Sequence, residues 1–194
     1  MSNSEDEEMA LYEAFISDPD TRLIVPAPEG VPNVEFKFGG EWRECRIWEG
    51  YFEASLILLK KALQRAPQTN NLVFPALFNL RHAVEVALKW HIRYAGGIVP
   101  KRAGHNLGVL LESFRQTAYD LDDEANYFSD YALERISELA SIDPHSVMFR
   151  YSTEVDGSLI EIAPECWDLR RLYFTVDELL LWFDGLSGQI DRSR

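Results

Sequence analysis

Residues 74–111 read FPALFNLRHAVEVALKWHIRYAGGIVPKRAGHNLGVLL. From Phe74 to Tyr94 the run is apolar on almost every side, Pro75 suits the first helical position, and Ala95-Gly96-Gly97 supplies a flexible stop. Twenty-odd residues make a rod of roughly 30 Å, long enough to be the spine of a bundle. A helix that is apolar all round is buried, so Arg81, His82, Glu85 and Lys89 form a narrow polar stripe that needs partners inside the fold. Arg81, Glu85 and Lys89 stack at i, i+4 and i+8, with His82 beside them.

The rest of the chain supplies the spine with neighbours. Gly50 to Arg65 carries an apolar set that includes Phe52, Leu56, Leu59 and Ala62, and predicts a helix that Ala66-Pro67 ends. A third helix is predicted from His105 to Tyr119, a fourth from Asp123 to Ser141 with Asp143-Pro144 as its stop, and a last one from Cys166 to Leu186. Short connections favour antiparallel neighbours. Val34 to Phe38, Gly39-Gly40 and Trp42 to Trp48 predict a β-hairpin, and the apolar runs flanking Val155-Asp156-Gly157-Ser158, from Met148 to Ile162, predict a second. The expected fold is mainly α: an antiparallel bundle of four to five helices with two appended hairpins.

That pattern divides the chain into an acidic tail (1–9), an N-terminal segment of short helix, proline-rich loop and hairpin (10–49), the bundle (50–186) and a C-terminal tail (187–194). The short helix is Met9 to Ile16, and the loop Pro26 to Pro32.

Composition narrows the function. The 194 residues are 46% hydrophobic and 26% charged, an ordinary globular balance, and no apolar run approaches the ~20 residues that span a bilayer. The acidic start has neither the basic nor the apolar region of a secretory signal, which implies a cytoplasmic protein without a membrane role. Cys45 and Cys166 have no disulfide or zinc spacing. The formal charge is −13, and removing the four acids of Glu5-Asp6-Glu7-Glu8 leaves −9. Such a surface opposes non-specific nucleic-acid binding and suits solubility or a basic partner.

Lys89, His91, Arg93, Lys101 and Arg102, with His105, make a local basic concentration. They suit either the negative end of a helix dipole or a small anion or RNA-phosphate site. His105 stands where it can cap a helix or turn toward the spine, and Asn106 follows it. Arg150 on the second hairpin points away from the stripe if Phe149 and Tyr151 pack inward, and toward it in the opposite register. Glu41, Glu44 and Glu49, and Asp120, Asp122, Asp123 and Glu124, read as solvated caps, so no metal is expected. Phosphate-binding loops, dinucleotide motifs, zinc-protease motifs and nucleophile elbows are absent, and no cofactor is implied.

Together Tyr51-Phe52-Glu53-Ala54-Ser55, Phe74 to Lys89, Gly104-His105-Asn106-Leu107 and Phe149-Arg150-Tyr151 resemble the HEPN superfamily. These are bacterial α-helical proteins of toxin–antitoxin and phage-defence systems, often dimeric, many of them metal-independent RNases. Active members carry an Arg followed by four to six residues and a His; none of His82, His91, His105 or His145 is so preceded. The resemblance therefore implies a non-catalytic binding or assembly module with a protein partner and a possible homodimer. The alternative it leaves is an RNase with a divergent site, in which His82 or His105 exchanges the proton and Arg81 or Arg150 holds the phosphate. A third reading is an acidic immunity protein that neutralises a basic toxin.

Overall fold

The computed structural model describes residues 3–19, 22–27, 29–32, 34, 36, 39–65, 70–122 and 130–194. Among them run six helices: α1 (Asn3–Ser17), α2 (Gly40–Arg65), α3 (Asn70–Tyr94), α4 (Leu107–Leu121), α5 (Asp130–Ile142) and α6 (Leu169–Arg192). A short 3-10 turn, Lys101–Ala103, precedes α4. The chain divides into two units, Met1–Lys37 and Phe38–Arg194.

The first unit contains α1, which starts at Asn3, inside the segment expected to be a tail. Acidic residues such as Asp6 near its start complement the positive end of the helix dipole. Met9, Leu11, Tyr12, Phe15 and Ile16 are all exposed.

The second unit is the helical bundle α2–α6, and here the first expected hairpin is corrected. Trp42 to Trp48 belong to α2 rather than to a strand, while residues 35, 37 and 38 of the other arm lie outside the described residues. The buried side chains of α2 explain why: Trp48, Phe52, Ser55, Leu59 and Ala62 recur at alternating steps of four and three, with half-buried Cys45 one step earlier. That is a helical stripe, and it passes through Gly50 without a break.

Ser55 Oγ donates 2.9 Å to the Ala76 carbonyl, Tyr51 meets His82, Trp48 meets Trp90 and His91, and Glu44 pairs with Arg93. Numbers fall along α2 as they rise along α3, so this pair is antiparallel. α3 itself starts at Asn70 instead of Phe74, which places Pro75 inside its second turn. The missing N–H there would have reached the carbonyl of exposed Asn71.

The pair α3 and α4 departs from the antiparallel expectation. Glu85 meets His105, His91 meets Phe114, and a Cβ on Gly97 would fall 2.4 Å from Thr117 Oγ1. Both numbers rise together, so α4 runs in the same direction as α3. The connection, residues 95–106, is long enough to travel back along the spine before α4 begins. α6 packs on α2 and α3, and α5 on α4 and α6. α6 continues to Arg192 with Leu186 and Ile190 buried, so residues 187–192 are helix and not tail.

The second expected hairpin is also corrected. Asp156-Gly157 makes the turn, with Gly157 at φ 87, but only the single bridge Thr153–Leu159 forms and no strand occurs among the described residues. Thr153 to Leu159 are exposed throughout; an isolated two-stranded ribbon without an apolar face is marginal in water. Residues 123–129, where the fourth helix was expected to begin, lie outside the described residues.

Candidate functional site

The polar stripe of α3 is the best-organised polar cluster of the second unit. Arg81 is completely buried. Its Nη1 donates 2.7 Å to Glu85 Oε2, Nε donates 3.1 Å to the Asp143 carbonyl, and Nη2 donates to the His105 carbonyl and, at 3.4 Å, to that of Pro144. Asp143 Oδ2 adds an ionic contact at 3.7 Å. One planar guanidinium thus ties together α3, the turn that leads into α4 and the turn that leaves α5. Burial pushes its pKa down while Glu85 and Asp143 push it up; an arginine stays charged through such shifts.

Glu85 is the centre of the cluster. Its Oε1 accepts from Lys89 Nζ at 2.7 Å and from His105 Nδ1 at 2.9 Å. Burial works to raise its pKa, but the bonds from Lys89 and His105 and the charge of Arg81 outweigh it and hold the carboxyl below its usual value. Glu85 therefore remains ionised at neutral pH, as a buried carboxylate with good partners can. The His105 side chain is 65% exposed, in contrast to the 2% of Glu85.

Each residue of Gly104-His105-Asn106-Leu107 has a separate task. Gly104, at φ 50, makes a turn that a residue with a side chain rarely adopts. His105 presents its carbonyl to Arg81 and its ring to Glu85. The Asn106 side chain accepts from Val109 N–H at 3.0 Å as the N-cap of α4, which begins at Leu107, two residues later than the expected start at His105. Leu107 is fully buried in the core.

His82 belongs to an aromatic cluster, not to the ion network. Its ring meets Tyr51 edge-on at 4.6 Å and stacks with Phe78 at 5.9 Å, and burial lowers its pKa, so it is neutral. Arg150 follows neither hairpin register, because Met148 to Arg150 form a turn. Phe149 is buried and Tyr151 exposed; Arg150 donates through Nε to the Ser146 carbonyl at 2.6 Å and lies over Phe78 and Tyr151.

The basic concentration is dispersed by the fold. Lys89 is committed to Glu85, Arg93 to Glu44, and only Lys101 and Arg102 stand open on the 3-10 turn. His91 is fully buried, with Nδ1 2.8 Å from the Ala87 carbonyl and Nε2 3.1 Å from that of Phe183. Burial lowers its pKa to about 4 against the pull of both carbonyls. Cys45 donates to Glu49, and burial with that bond raises its thiol to about 12, which makes it unreactive. Among the described residues no group of three or more His, Cys, Asp or Glu side chains is placed to hold a metal ion, and no helix is long and apolar enough to cross a membrane.

Asp143 is the member of the site that sequence reasoning missed. Read only as a helix stop, it also accepts from Val147 N–H at 2.8 Å and Met148 N–H at 3.3 Å, which shapes the turn facing Arg81. The available signal was an acidic residue before Pro144 at the end of an apolar helix, a pattern that favours local side-chain to backbone bonds. Comparison with known protein families, curated proteins and solved structures yields no match.

Proposed function

We propose that this protein is a non-catalytic, HEPN-like binding or assembly module that works through a protein partner, with a homodimer as one form of that assembly, in a bacterial defence or toxin–antitoxin setting. The observation that carries the reading is the commitment of Arg81: each of its three guanidinium nitrogens donates to the protein and none of its surface reaches solvent. A phosphate cannot reach it without dismantling the turns that precede α4 and follow α5. The formal charge of −13 and the exposed apolar residues of α1 support a partner with basic and apolar surface over a nucleic acid.

One observation favours the RNase alternative. His105 keeps most of its ring in solvent while a buried carboxylate holds Nδ1, the arrangement by which a carboxylate orients an imidazole for proton transfer. Incubating purified protein with total RNA in EDTA, beside a His105→Ala variant, separates the two. The ring is exposed, so the variant keeps the fold, as circular dichroism should verify. The binding-module reading expects no cleavage above buffer by either protein; cleavage that disappears in the variant overturns it.

A further inference from the structure

A recess of about 500 Å³ opens between α5, α6 and the segment before α6, floored by Leu77 and Leu80 of α3 and walled by Leu139, Ile142, Trp167 and Leu172. Its volume lies in the range of small-molecule sites, and mainly apolar walls with a few polar groups are what such sites show. A second hollow, about 420 Å³, shares Arg135, Asp168, Arg171 and Thr175 with the first and adds Arg170, Tyr131 and Phe174. An apolar recess thus opens onto a lip that carries three arginines, in a chain whose formal charge is −13.

The charges at the lip are unevenly committed. Arg135 pairs with Glu138 at 3.1 Å and lies 3.9 Å from Glu134, while its guanidinium stacks on Tyr131. Asp168 Oδ1 is occupied as the cap of α6, accepting from the N–H groups of Arg170 and Arg171 at 3.0 Å. The side chains of Arg170 and Arg171 have no carboxylate partner among the described residues. The helix start is already capped by an acid, so the attraction for an anion rests on these two guanidinium groups.

We infer that this recess binds a small amphiphile with an apolar body and one anionic group, the body against Leu139, Ile142 and Trp167 and the anion on Arg171 and Arg170. A neutral apolar ligand would leave the arginines unused, and a small polar anion would leave the recess empty. Both parts are needed for the fit.

Isothermal titration of the full chain with sodium decanoate, 1-decanol and sodium acetate, each below any aggregation limit, tests the inference. Decanoate is expected to saturate one site per chain, at least about tenfold more tightly than decanol, with acetate showing no saturation. An Arg170→Gln/Arg171→Gln variant, altered only at exposed side chains, should lose that tenfold preference and keep the decanol affinity. A Trp167→Ala variant should weaken decanoate and decanol alike. Equal affinity for decanoate and decanol, unchanged decanoate binding in the arginine variant, or no saturable decanoate binding overturns the proposal.

Discussion

Two buried polar groups on α3 lie ten residues apart and have opposite fates. Arg81 is fully buried and charged; His91 is fully buried and neutral. The difference is the company each keeps. Around Arg81 stand the carboxylate of Glu85, which accepts from Nη1, the nearby carboxylate of Asp143, and backbone carbonyls that accept from Nε and Nη2. Around His91 stand the rings of Trp48, Trp90, Phe114 and Phe183 and two carbonyls, with no acid among the described residues bonded to the ring to stabilise an imidazolium. Burial alone therefore does not set the charge on this helix; the partners that burial brings with it do.

The Arg81 side of this contrast is expected to give the larger effect. Replacing Arg81 by Met leaves the carbonyls of Asp143 and His105 without a donor and should destabilise the protein by about 3–5 kcal/mol, read from urea unfolding at pH 7. A loss under about 1 kcal/mol would mean that the cluster is incidental to the fold.

The His91 side gives a pH signature. Its folded pKa, about 4, lies below the ordinary 6.5, so the unfolded chain binds the extra proton first. The stability that this depression confers is complete above pH 6.5 and falls as pH drops from 6.5 to 4, by about 3 kcal/mol in all. Glu85 adds a separate loss at lower pH, because its depressed pKa places its window below 4.5. Unfolding free energies of wild type and a His91→Phe variant between pH 7 and 5 isolate the first window: the variant should show a flatter profile. Equal slopes would remove His91 as the cause.

The sequence made the apolar spine and its polar stripe legible, because 3.6-residue periodicity and buried charge are local signals. Arg81, Glu85 and Lys89 could be aligned from spacing alone, and they do share Glu85 as their link. The destination of Arg81 was not legible, since Asp143 lies 62 residues away and the direction of α4 depends on how the connection 95–106 returns. Trp42 to Trp48 were misread because Gly50 looked like a helix start, although the spacing Cys45, Trp48, Phe52 already continued the helical stripe. The arginine-lipped recess escaped notice because α5, α6 and α3 contribute to it from three distant segments.

The most direct test of a structural role for the stripe is a double-mutant cycle in urea at pH 7 with Arg81→Met, Glu85→Met and the double variant. Removing either partner leaves the other charge buried without its counter-ion, whereas removing both relieves that penalty and leaves only the loss of Arg81's bonds to the Asp143 and His105 carbonyls, which the single variant already carries. The account predicts a double variant at least about 2 kcal/mol more stable than the sum of the single losses implies. Additive losses, within about 0.5 kcal/mol, would contradict it and show that Arg81 and Glu85 do not act as one unit.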